Sequence, residues 1–187
     1  MEVAVKNAVL LVLLLGVMVF QAHAQTNPTV TISITSSPGD PIGLGQSYTL
    51  TADVDTVHVY RNFQGGVGVY WNNADYSKWW QFDFVSADRG PLAAGTYSAA
   101  EKFPRQSAGH PGLFVSSFHS WTCTSIDGSF SVKKVTADPS GRVISFWVVF
   151  TQSCDEAPAL HGEIRYDLDQ SVSTRATSWG RLKGLYR

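Results

Sequence analysis

Three groups of residues have types and spacings that could do chemistry. The first is His161-Gly162-Glu163, where an imidazole and a carboxylate two positions apart fall on one side of an extended strand. Such a pair could belong to a metal or acid–base site, but a surface polar pair is the simpler reading at this spacing. The second is Asn72, Asn73, Asp75, Asp83 and Asp88, oxygen-bearing side chains close together in sequence. Calcium takes six or more such ligands. No EF-hand spacing is present, and Asn and Asp also populate loops because they tolerate turn geometry. No nucleophile elbow, phosphate loop or helical pair of histidines is found, and Asp155-Glu156 reads as a solvated turn. The expectation is that there is no catalytic residue, no metal site and no cofactor.

The third group is aromatic and the most informative. In Lys78 to Val85, alternation puts Trp80, Phe82 and Phe84 on one face, which must be the core, and Trp79, Gln81 and Asp83 on the other. In Val67 to Trp71 the core phase is Val67, Val69 and Trp71, which leaves Tyr70 outward. Tyr70 and Trp79 can then meet on the outer face of one hairpin. Together with Gln81 and Asp83 they make a carbohydrate platform: rings stack on the C–H faces of sugars, and polar neighbours take the hydroxyls. The competing reading is an outer face covered by loops or by the tail. In Arg142 to Ser153 the core phase is Ile144, Phe146, Val148 and Phe150, and Trp147 lies outside.

The elements that position these residues are short strands separated by turn chemistry, with no helical stripe. Thr29 to Thr35 alternates strictly, and Ser37-Pro38-Gly39-Asp40-Pro41 ends it. Further strands are expected over Tyr48 to Asp53, Thr56 to Arg61, Gly95 to Ala100 and Leu113 to Phe118. The strongest unit pairs Gly128 to Ala137 with Arg142 to Ser153. Asp138-Pro139-Ser140-Gly141 between them suits a type I turn. A hairpin centred there sets Ala137 opposite Arg142. Cys123 and Cys154 fall two positions from that register, an offset one bulge can absorb. About ten strands at this spacing predict an all-β fold, a single antiparallel β-sandwich or jelly-roll-like domain.

The N-terminus has the build of an export signal: Lys6, the apolar run Ala8 to Phe20, then Ala22-His23-Ala24 ahead of Gln25. That run is 13 residues, against roughly 20 for a membrane span. The domain reading is therefore a signal peptide over 1–24, a β-sandwich over 25–169 and a basic tail over 170–187, expected to be flexible and dispensable for folding. Localisation follows as secreted or periplasmic. In that oxidising space the two cysteines, Cys123 and Cys154, are expected to form a disulfide, with two buried free thiols as the alternative. The net charge is −1, which predicts no general attraction to nucleic acid.

Several segments carry a resemblance. Gly95-Thr96-Tyr97, Phe103-Pro104, Pro111-Gly112-Leu113 and Gly128-Ser129-Phe130-Ser131-Val132 occur in this order. Phe150-Thr151-Gln152-Ser153-Cys154 and Pro158-Ala159-Leu160-His161-Gly162-Glu163-Ile164-Arg165-Tyr166 follow. Together they resemble a family of secreted, uncharacterised bacterial proteins with a cysteine at each of the positions held by Cys123 and Cys154. The resemblance spans roughly Gly45 to Asp167 and implies a secreted β domain, with no activity or ligand attached. Similar sequences have a glycine-rich, asparagine-containing stretch around the first cysteine, where this chain has Ser120-Trp121-Thr122-Cys123-Thr124. The expected function is a secreted, non-catalytic binding module whose partner is a glycan or a cell-envelope component. The alternatives are a structural or adhesive extracellular module and a small hydrolase with a loop-borne acidic site.

Overall fold

The computed structural model describes residues 29–51, 56–119 and 123–168. The signal segment and the basic tail of the sequence reading lie outside these residues. Among the described residues ten strands occur in chain order: β1 (Thr29–Ser36), β2 (Ser47–Thr51), β3 (Thr56–Arg61), β4 (Val67–Asn72), β5 (Trp79–Val85), β6 (Gly95–Lys102), β7 (Gly112–Ser117), β8 (Ile126–Ala137), β9 (Val143–Cys154) and β10 (Leu160–Asp167). No helix is present among the described residues. The fold is all-β, as alternation and turn spacing predict.

The strands form one continuous sheet in the order β2-β1-β10-β9-β8-β6-β7-β5-β4-β3, curled so that its two halves face each other. The join is β6. Its start pairs antiparallel with β8 (Gly95 opposite Val132, Tyr97 opposite Phe130), and its end pairs parallel with β7 through Glu101 and Lys102. Between the two pairings the register shifts, with Ala99 at φ 52°. An extra residue there bends the strand and turns the sheet through its corner. The sheet is therefore mixed rather than purely antiparallel, and its sandwich layers are continuous through one strand.

The core lies between the two halves. Phe82 and Phe84 of β5 meet Phe150 at ring-centroid distances of 5.7 and 5.5 Å, and Phe84 also meets Phe130 at 5.3 Å and Phe146 at 5.6 Å. All five rings are buried. Each such side chain contributes about 1.5–3 kcal/mol on burial, so this aromatic layer holds the two halves together. Gly162, opposite Phe150, has no side chain because a Cβ there would enter the Phe150 ring.

The hairpin of β8 and β9 forms as expected, one position out of the predicted register. Asp138 pairs with Arg142 through Asp138 N–H to the Arg142 carbonyl at 2.9 Å, and Ala137 stands opposite Val143. The reason is Gly141 at φ 88°, which extends the turn by one left-handed residue. Asp138 Oδ1 accepts the Ser140 and Arg142 amides at 2.8 and 3.0 Å, fixing the turn. At the other end of the hairpin, Cys123 and Cys154 are joined in a disulfide with Cα atoms 5.1 Å apart. Strand β10, which holds the His161–Glu163 strand pair of the sequence reading, lies centrally between β1 and β9.

Candidate functional site

Cross-strand register builds the outer face of the half-sheet β3-β4-β5-β7 as rows. His58, Tyr70, Gln81 and Ser116 make one row. Tyr60, Gly68, Asp83 and Phe114 make the next, and Thr56, Asn72 and Trp79 lie on the other side. The four residues singled out from alternation therefore share one face. Tyr70 is directly opposite Gln81, while Trp79 and Asp83 are its diagonal neighbours. Tyr70, Trp79 and Gln81 are half-buried, and His58 is exposed. Trp80, Phe82 and Phe84 point the other way and are buried, as the alternation requires.

Asp83 is the exception to a solvent-facing platform: it points outward and is 1 % exposed. Its neighbours explain this. Gly68, the residue opposite, leaves room for the Tyr60 ring to lie across β4, where a Cβ would collide with that ring. The carboxylate accepts the Gln81 amide at 2.9 Å and the Asn62 amide at 3.3 Å. Asn62 is itself fixed, because its side-chain oxygen accepts the Gln64 and Gly66 backbone amides at 3.3 and 2.9 Å. Asp83 thus positions Gln81 and the β3–β4 turn.

Burial pushes the Asp83 carboxyl up to about 6, with the bonds from Gln81 and Asn62 pulling the other way. Burial and the Asp83 charge together push the Tyr60 hydroxyl up to about 12. A carboxyl whose folded pKa exceeds the unfolded value of about 3.9 favours folding in acid, and that contribution is lost as pH rises through the folded value. Asp83→Asn keeps one acceptor oxygen and loses one of the two amide bonds, so the variant's stability relative to the parent should be lowest near pH 3 and rise by about 1–3 kcal/mol by pH 7, where the parent carries the buried charge. Urea unfolding across that range checks this; a loss of stability of equal size at every pH would count against it.

Among the described residues, two buried carbonyl oxygens near this face have no partner, Asn72 Oδ1 and Gln106 Oε1. Asn72 shares the row of Trp79, and Gln106 packs over Gly112 beyond the other end of the face. A buried acceptor left unpaired costs free energy unless a donor reaches it.

The other candidate groups do not assemble. Asp75 bonds the Ser77 amide and hydroxyl at 3.1 and 2.7 Å, and Asp88 bonds the Ser86 hydroxyl and Gly90 amide at 2.6 and 3.0 Å. Each closes its own turn, and these bonds hold both carboxyls below their ordinary range. Among the described residues no three His, Cys, Asp or Glu side chains come together as a metal site. His161 and Glu163 do share a strand face, but His161 Nδ1 is bonded to Thr151 at 2.9 Å while Glu163 takes the Trp147 indole N–H at 2.6 Å. Asp155 and Glu156 form an exposed turn with both residues at positive φ. The Asp155 carboxylate caps the Thr124 and Ser125 amides at 2.9 and 2.6 Å.

His58 is the site residue that sequence reasoning passed over. Its alternation in Thr56-Val57-His58-Val59-Tyr60 was a usable signal, but only the β3–β4 register places it beside Tyr70.

The fold and this face define an all-β domain with an aromatic and amide-bearing outer surface. A scan against family models finds no match to the chain, and comparisons with curated proteins and with solved structures find none. No helix among the described residues is long and apolar enough to cross a membrane.

Proposed function

We propose that this chain is an exported, non-catalytic binding module that takes a polyhydroxylated ligand, a glycan or an envelope saccharide, on the Tyr70–Gln81 face. The observation that carries the reading is the pairing of an aromatic plane with a fixed amide. Tyr70 offers ring surface directly opposite Gln81, whose amide nitrogen is committed to Asp83. That bond leaves the Gln81 oxygen as an acceptor beside the ring, with the His58 imidazole adjoining. Sugar hydroxyls donate to such an acceptor while their C–H faces stack on the ring. Trp79 extends the apolar area on the diagonal, and Asp83 acts from beneath by holding Gln81. Rigid placement of this kind lowers the cost of ordering the site on binding.

A glycan array on the exported protein tests the reading. Tyr70→Ala and Gln81→Ala should each weaken binding about tenfold or more, about 1.4 kcal/mol, and Gln81→Ala should also lower the thermal stability, because it takes a donor from the buried Asp83 carboxylate. Unaltered affinity in both variants, or no glycan bound at all, would remove the proposal. In the second case an adhesive module gains ground, because β2 and β3 end the sheet with strands that, among the described residues, pair on one side only.

A further inference from the structure

The outer face of the other half-sheet carries a second aromatic position with a different construction. Trp147 on β9 is 37 % exposed. Its indole N–H donates to Glu163 Oε1 at 2.6 Å. The same oxygen accepts Arg165 Nε at 2.8 Å and Arg165 Nη2 at 2.8 Å, and the guanidinium lies 4.6 Å from the centre of the indole. Register explains the assembly: Arg165 stands directly opposite Trp147, and Glu163 lies one diagonal away. The ring is therefore fixed by a bond at its nitrogen and a cation at its side, although it sits on the surface.

We infer that this surface is a second saccharide-binding face, formed by Trp147, Glu163 and Arg165 with the hydroxyl row of β1. Three observations select that ligand chemistry. Glu163 Oε1 carries all three bonds, which leaves Oε2 as an acceptor and Arg165 Nη1 as a donor next to the ring. An adjacent acceptor and donor beside an aromatic plane match neighbouring hydroxyls on a pyranose. The charges nearest the ring are paired, Arg165 with Glu163 and Lys134 with Asp167 at 3.5 Å, which leaves Lys133, bonded to the Ser131 hydroxyl, as the cation at the margin of the face. Depressions flank the Trp147–Glu163 pair on both sides. One, of about 350 Å³, is lined by Thr29, Thr31 and Lys134. The other, of about 280 Å³, is lined by Ser33, Thr35 and His161. Hydroxyl-lined hollows on either side of one ring suit a chain of sugars rather than a single unit.

The inference concerns the opposite side of the sandwich from Tyr70 and does not require the Tyr70–Gln81 reading to hold. One experiment separates them. The ¹⁵N-labelled exported protein is titrated with neutral hexasaccharides of β-1,4-glucan, chitin, xylan and α-1,4-glucan type, and backbone and indole resonances are followed. The indole N–H of Trp147 is identified by its loss in Trp147→Phe. The expected result is that at least one hexasaccharide shifts this resonance together with the Thr31 and Arg165 amides. Glu163→Gln, which keeps the side-chain shape, should weaken the same binding at least tenfold with the rest of the spectrum unchanged. Shifts confined to the His58, Tyr70 and Gln81 region overturn the second face and leave the first. Shifts at Trp147 alone support the second face and count against the first. No shift at Trp147 with any of the four overturns the inference.

Discussion

Trp80→Ala is expected to lower the stability of the folded protein by about 3–5 kcal/mol, the cost of a large buried ring cut to a methyl group. Trp80 is 1 % exposed. It stacks on Phe82 with centroids 6.0 Å apart and meets the edge of Tyr48 at 5.0 Å. The Tyr48 contact ties β5 to the opposite half of the sandwich through β2. The melting temperature should drop by on the order of 10 °C. Trp79→Ala, one residue earlier and on the outer face, should cost about half as much or less, since its ring is only half-buried. Chemical denaturation of both variants reads the contrast. Equal losses, or a larger one for Trp79, would mean that the phase of β5 is reversed.

Removal of the disulfide should have an effect of similar size by a different route. Cys123 and Cys154 are 31 positions apart, and both are buried. On the chain-entropy account, closing a loop of this length disfavours the unfolded ensemble by about 3.5–4 kcal/mol. The Cys123→Ala, Cys154→Ala double variant should lose about that amount. Reductant should lower the melting temperature of the parent protein and leave the double variant where it is. Both thiols accessible to labelling in the native protein would contradict the bond. Ile126 lies opposite Cys154 at the far end of the hairpin from the Asp138–Gly141 turn. The bond therefore closes the end of the longest strand pair, where fraying would otherwise begin.

The two tryptophans and the two cysteines differ in how their roles could be read. Adjacent residues on a strand point to opposite faces whatever the strand pairs with, so Trp80 inward and Trp79 outward follow from Trp79-Trp80-Gln81-Phe82-Asp83-Phe84 by itself. The same reasoning holds for Val30, Ile32 and Ile34, all buried, beside outward Thr29, Thr31, Ser33 and Thr35. Turn chemistry is equally local, and Asp138-Pro139-Ser140-Gly141 makes the turn it reads as. The left-handed Gly141 and its one-residue effect on register are a backbone choice that composition permits without requiring.

Strand order is another matter, because pairing depends on which apolar faces meet after the chain has folded back. Nothing near Gly95 announces that β6 would bend at Ala99 and join both halves of the sheet. Nor could the chain order place Arg165 opposite Trp147, or His58 opposite Tyr70, since those meetings depend on the partners of β10 and β3. Asp83 makes the distinction most clearly. Alternation alone puts its side chain on the outer face of β5. Only the tertiary structure brings Tyr60 across the gap at Gly68, removes that carboxylate from water and turns it from an exposed group into the support of Gln81. Local periodicity decides direction; burial depends on what the rest of the chain lays on top.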